Sequence, residues 1–181
     1  MNKIYYENLN DAIERNNPNI SKTKRTLEEA GVKYVLSSWI DLHGIPKTKP
    51  VPMSNFKNLC LGKGPQFAVH SISFVPELSP ADTDQVMIPD LDAVYICPWD
   101  KTTAIIFADL FWEGAPYNVC PRQALKRIIQ EKQDGGYIGF AGIEPEFTRQ
   151  GNDCPACEKH YPDRCPAHRT LVASNLDIDE I

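Results

Sequence analysis

The chain has 181 residues, with 19 basic against 24 acidic side chains and a formal net charge of −5. That length suits one ordinary domain, or a small domain with part of a second, and is too short for two complete catalytic domains. The charge balance supplies no positive field for phosphate backbones, the apolar runs are far shorter than the roughly 20 residues that cross a bilayer, and the polar start has no signal-peptide core; a cytoplasmic protein is expected, with no nucleic acid and no membrane as partner.

Residues 1–30 read as an N-terminal extension and a short helix: Ser21 or Thr23 can cap a turn through Thr26-Leu27-Glu28-Glu29-Ala30, and Gly31 suits a left-handed stop. Fifteen prolines, each without a backbone donor, then favour short strands over a helical bundle. Residues 32–41 are rich in β-branched and aromatic types, 41–46 hold turn residues, and 47–51 return as the second strand of a hairpin. A helical turn at 54–59, an extended 66–74 segment, the run 87–90, and strands at 93–97 and 103–111 complete a small mixed sheet. The turn cluster Glu113-Gly114-Ala115-Pro116 divides a first domain over 31–113 from a second over 114–181. Pro121 opens a helix whose apolar stripe is Ala124, Leu125, Ile128 and Ile129, opposite Lys126, Arg127 and Glu131. After Asp134-Gly135-Gly136, residues 137–147 read as a strand with Ile138, Phe140, Gly142, Glu144 and Glu146 on one face. Cys60, Cys97 and Cys120 stand singly among apolar neighbours and read as reduced core thiols.

Carboxylates two apart on a strand lie about 7 Å from each other and repel by about 0.6 kcal/mol in water, or about 2.4 kcal/mol at an effective dielectric of 20. The larger figure, added to the desolvation of two anions, calls for a proton or a cation, and hard ions such as Mg²⁺ prefer carboxylate oxygens. Glu144 and Glu146 are therefore candidate metal ligands and catalytic residues, whereas a strand end emerging into solvent would need no ion.

Gly142-Ile143-Glu144-Pro145-Glu146-Phe147, preceded by Pro121-Arg122 and a helix, resembles the start of the glutamine synthetase catalytic domain. Trp39-Ile40-Asp41-Leu42-His43-Gly44 with residues 47–52 is similar to that family's N-terminal hairpin, and Asp84-Gln85-Val86-Met87-Ile88-Pro89-Asp90 to its connector. Pro98-Trp99 and Ala108-Asp109 fall in the same order, so the likeness spans residues 32–149. The resemblance implies an α+β fold: a β-grasp-like N-terminal domain followed by the start of an antiparallel catalytic domain, truncated here, in ring-shaped homo-oligomers with active sites between subunits. It implies a ligase that uses ATP to phosphorylate the side-chain carboxylate of glutamate, after which an amine or ammonia displaces phosphate to leave a γ-glutamyl amide. Glu144 and Glu146 would each hold a divalent ion, Mg²⁺ or Mn²⁺, which offsets the charge on the transferring phosphoryl group.

One departure bears on the amine. Where glutamine synthetases usually carry Phe-Asp-Gly-Ser-Ser, this chain has Phe67-Ala68-Val69-His70-Ser71. The missing aspartate helps that family hold ammonium and take its proton, so the chain is more similar to relatives that join alkylamines to glutamate, such as gamma-glutamylmethylamide or gamma-glutamylputrescine synthetases, the polyamine type among them. His70 is a candidate for proton handling, against the plainer reading of a loop histidine. Asp41 and His43 beside Gly44 invite an acid–imidazole reading, but Asp and Gly at a hairpin end are what a turn requires.

Near the C-terminus Cys154-Pro155-Ala156-Cys157 is echoed by Cys165-Pro166-Ala167-His168, a Cys-x2-Cys-x7-Cys-x2-His pattern whose three sulfurs and one nitrogen suit structural Zn²⁺; reduced thiols in a polar loop are the alternative. Beyond Phe147 only Leu171, Val172, Leu176 and Ile178 resemble core material, too little to cover a second domain, so the chain alone is expected to be inactive. The competing class is a non-catalytic β-grasp module with a zinc-braced tail that binds or regulates another subunit.

Overall fold

The structure is a computed structural model and describes residues 3–69 and 79–144. Two helices open it. The Asn8 side chain caps α1 (Leu9–Asn16), accepting the Asp11 backbone N–H at 2.9 Å, and a 3-10 turn at Asn17–Asn19 leads into α2 (Ile20–Glu29). A short helix was expected after residue 21, with a Ser21 or Thr23 cap. Instead α2 starts at Ile20 without a side-chain cap, because Ile20 and Leu27, two turns apart, bury in the core and packing sets the start. Gly31, at φ +86°, ends it as expected.

The strands are β1 (Tyr34–Ile40), β2 (Pro46–Pro52), β3 (Gln66–Ala68), β4 (Asp84–Ile96), β5 (Thr103–Trp112) and β6 (Ala115–Pro116), with α3 (Phe56–Cys60) between β2 and β3. They form the expected mixed sheet in the order β2-β1-β5-β4-β3, β1 and β5 running parallel and the other pairs antiparallel, with β6 beside the end of β5. The runs at 87–90 and 93–97 belong to one strand, β4, whose register shifts between Pro89 and Val94. A proline cannot donate to the ladder, and an irregularity there bends the strand. Glu113 and Gly114, both at positive φ, make the turn of the β5–β6 hairpin.

Alternation along β1 and β5 sends Val35, Trp39, Ala104, Ile106, Ala108 and Leu110 to one face. There α2 and α3 cover Val35, Ala104 and Ile106, while Trp39, Met87, Ala108 and Leu110 pack with Val69, Tyr117 and Cys120. On the opposite face Ala12 of α1 meets Ile88 and Phe111. The sheet curls: Lys49 of β2 donates to the Gln66 carbonyl of β3 and lies 4.5 Å from the Phe67 ring centroid, and Trp39 packs edge-on against Phe67 at 5.5 Å. The first and last strands of the order therefore meet around a shared apolar layer.

The last described helix, α4 (Pro121–Asp134), starts on its proline and stops at Gly135-Gly136 as expected, but its orientation is reversed. Arg122, Gln123, Lys126 and Gln130 turn toward the protein, whereas Leu125 (61% exposed), Ile128 and Ile129 face water. Two buried aspartates on the sheet, Asp90 and Asp109, decide this, since a buried anion without a cation costs more than an exposed leucine. Cys60, Cys97 and Cys120 are buried free thiols; burial pushes Cys60 up to about 12 and raises the other two, so they stay unreactive. Among the described residues no helix is long and apolar enough to cross a membrane.

Candidate functional site

Residues 137–144, read from the sequence as a strand, form none. Ile138 (73% exposed), Phe140 (95%) and Ile143 (90%) are exposed, and among the described residues no strand lies beside the segment to take its backbone hydrogen bonds. Glu144 is exposed, and Glu146, His70, Cys154, Cys157, Cys165 and His168 lie outside the described residues. Among the described residues no three His, Cys, Asp or Glu side chains gather as a metal cluster. Oxygen donors would suit a hard dication such as Mg²⁺, which takes about six ligands; of the expected pair only Glu144 is among the described residues.

Ala68 sits on the edge strand β3, directly opposite Asp84 of β4, so the position lacking its own carboxylate faces one across the ladder. The Asp41–His43 pair resolves as a turn. Asp41 Oδ1 accepts the backbone N–H groups of His43 and Ile45, both at 2.9 Å, Lys47 Nζ lies 3.5 Å from Oδ2, and Gly44 takes φ +75°. Burial alone would raise the Asp41 carboxyl, but the Ile45 and His43 amides and then Lys47 outweigh it and hold the group below its ordinary value. A carboxylate so occupied orients the hairpin rather than moving protons.

Among the described residues, a dense charge cluster lies beneath α4. Lys126 Nζ donates to Asp90 Oδ2 at 3.0 Å and to Asp109 Oδ2 at 2.6 Å, Arg122 spans the same two carboxylates through Nη2 and Nε, and Arg15 of α1 reaches Asp90 at 3.1 Å. Burial raises the Asp90 carboxyl, yet Lys126, Arg15 and Arg122 together bring it down to about 2. The cluster fixes a helix: its two carboxylates are buried and each is paired with more than one cation. Its signal in the sequence was Arg122 and Lys126 at i and i+4, two cations on one helical face.

Known proteins resemble the chain both in sequence and in fold. No protein-family model matches the chain. A glutamate–methylamine ligase of Methyloversatilis universalis is 32% identical over 130 residues, 71% of this chain and 29% of that protein. A glutamine synthetase of Rhizobium meliloti is 37% identical over 119 residues, 66% of this chain and 27% of that protein. Among solved structures, ligand-free GmaS has a TM-score of 0.57 at 29% identity over 62% of this chain, and a GmaS/ADP complex a TM-score of 0.58 at the same identity and coverage. The chain belongs to the glutamine synthetase family. It spans 29% and 27% of the length of those two curated relatives and 26% of the solved chains. In this family member, the sequence landmarks fall on the sheet: residues 39–44 are the end of β1 and its turn, 84–90 the first half of β4, and Ala108-Asp109 the middle of β5.

Proposed function

We propose that this chain is part of an ATP-dependent glutamate–amine ligase, which forms a γ-glutamyl amide by way of γ-glutamyl phosphate. One observation carries the reading: about two thirds of the chain resemble both a protein named glutamate–methylamine ligase and proteins named glutamine synthetase. The likeness of the sheet to GmaS, one form of which is an ADP complex, supports it. On this reading 31–113 is a β-grasp-like domain and 114–181 the start of the catalytic domain. Active sites sit between the subunits of a homo-oligomer.

Glu144 and Glu146 hold Mg²⁺ or Mn²⁺ with ligands from elsewhere in the assembly, and the ion supplies charge neutralisation during phosphoryl transfer. Ala68 leaves the amine subsite without the carboxylate that would favour free ammonium, so an alkylamine is the preferred nucleophile. Cys154, Cys157, Cys165 and His168 hold a structural Zn²⁺ apart from the chemistry.

The test is a full-length enzyme assay, on the polypeptide made from its own reading frame, with ATP, glutamate, and ammonia or a panel of alkylamines and polyamines. Glutamate-dependent phosphate release with methylamine or a polyamine above ammonia is the expected result. Preference for ammonia overturns the reading of Ala68 alone, and no glutamate-dependent release with any amine overturns the ligase.

A further inference from the structure

Ala68 of β3 and Asp84 of β4 are paired directly in register, so their side chains leave the same face of the sheet with Cβ atoms about 5 Å apart. The next pair along, Gln66 and Val86, shares that face, and Val86 packs with Ile88 and Phe111 where α1 covers the sheet. Ala68 is half-buried and Asp84 exposed. Aspartate is depleted from strands, and this one does none of the local work of its neighbours: Asp41 ties the hairpin turn, Asp82 accepts the Ser79 backbone N–H at 2.6 Å, and Asp100 holds Thr102 and Thr103. Among the described residues the Asp84 carboxylate has neither an ion pair nor a hydrogen bond. Lys49 is engaged elsewhere, on the Gln66 carbonyl and 4.5 Å from the centroid of Phe67, a ring that alternation sends to the opposite face from Ala68.

The place of that carboxylate is set by backbone. The β3–β4 ladder fixes its register, and Trp112 Nε1 donates to the Thr83 carbonyl at 3.1 Å, which holds the start of β4. A fixed carboxylate beside the methyl of Ala68 and the side chain of Val86 is complementary to a small cation that carries an alkyl group: the charge is answered by Asp84, the alkyl part by the two apolar side chains. Free ammonium has nothing to set against the methyl. We propose that Asp84 is a specificity-determining residue of the amine subsite, which reads the positive charge of an alkylammonium from across the ladder where position 68 offers no charge of its own. The proposal rests on the ligase reading above and on position 68 facing the amine.

Steady-state kinetics of the full-length enzyme test it with two nucleophiles of similar size: methylamine, a cation at neutral pH, and hydroxylamine, which is largely uncharged there. Asp84→Asn is expected to raise the KM for methylamine about tenfold or more relative to that for hydroxylamine, with the KM values for glutamate and ATP unchanged. Asp84→Glu, which keeps the charge, should recover most of that loss. An unchanged methylamine KM, an equal rise for both nucleophiles, or the same rise in Asp84→Glu overturns the proposal and leaves the ligase reading standing. No glutamate-dependent turnover by the native enzyme with any amine overturns the ligase reading, and the proposal with it.

Discussion

Lys126 and Asp90, 36 residues apart in the chain, form an ion pair at 3.0 Å on which the placement of α4 depends. The same ammonium reaches Asp109 at 2.6 Å, and both carboxylates are more than nine-tenths buried. Removing a cation from such a cluster leaves anions that water cannot reach, although Arg122 and Arg15 still neutralise part of the charge. Lys126→Met, which keeps the aliphatic stem, is expected to lower stability by about 2–3 kcal/mol, read from the urea midpoint. Asp90→Asn combined with Lys126→Met should cost less than the sum of the two single changes. Additive losses would mean that the two residues are not coupled.

The same carboxylate sets an acid limit. Asp90 is held at about 2 in the folded state against 3.8 as its ordinary value. A depressed carboxyl stabilises the fold above its unfolded pKa and loses that contribution as pH falls through the folded one. The contribution, about 2 kcal/mol, is therefore complete at neutral pH and disappears between about pH 4 and pH 2. Urea midpoints measured across that window should fall more steeply for the native chain than for Asp90→Asn. Parallel slopes would remove Asp90 as their cause.

These two residues also show what the sequence could reveal. The β1–β2 hairpin, the mixed sheet and the limits of α4 were legible because turn residues, β-branched runs and a leading proline act over a few neighbours. The facing of α4 was not, because its partners Asp90 and Asp109 lie on other strands, and an apolar stripe is a default that buried anions override. Residues 137–144 misled for the related reason that alternation states which side chains would share a face of a strand, while strand formation needs a neighbouring backbone. Of the candidate site, Ala68 was found by resemblance to a family; Glu144 and Glu146 were singled out by their spacing, which by itself favoured an exposed strand end until the resemblance was added. Nothing local distinguishes the buried Gln85 from an exposed glutamine, since what covers it lies on strands remote in the sequence.

Two glycines at positive φ separate backbone strain from crowding. At Gly44 (φ +75°) an added Cβ meets nothing within 4 Å, whereas at Gly62 (φ +70°) it meets Ile88 Cδ1 and Val86 Cγ1, both at 3.2 Å. Gly44→Ala is expected to cost about 1 kcal/mol from conformation alone. Gly62→Ala should cost about 1–2 kcal/mol more as the β4 side chains are pushed aside. Equal losses in urea unfolding would show that the Gly62 contacts give way freely.

The cysteine pattern can be tested without reference to catalysis. Cys60, Cys97 and Cys120 are buried singly, so substitution there should leave metal content unchanged. If Cys154, Cys157, Cys165 and His168 form a tetrahedral site, the purified full-length polypeptide retains about one zinc per chain after dialysis, and Cys157→Ser loses it. Co²⁺ substitution should give the visible absorption of thiolate coordination. Zinc retained by Cys157→Ser, or none in the native chain, rules out the site.

Glu144 and Glu146 carry the last prediction, and the choice of substitution matters more than the loss itself. A carboxylate that holds a divalent ion is only partly replaced by an amide, which keeps an oxygen donor but no charge. In the full-length enzyme, Glu144→Gln and Glu146→Gln should therefore raise the Mg²⁺ concentration needed for half-maximal turnover, while the alanine variants lose turnover by about 10²-fold or more without unfolding. Electrostatic support of a phosphoryl group at a distance, without direct ligation, would instead lower the rate and leave the Mg²⁺ dependence where it was. A Mg²⁺ titration at saturating ATP and glutamate separates the two, and unchanged titration curves in all four variants would exclude both side chains as ligands.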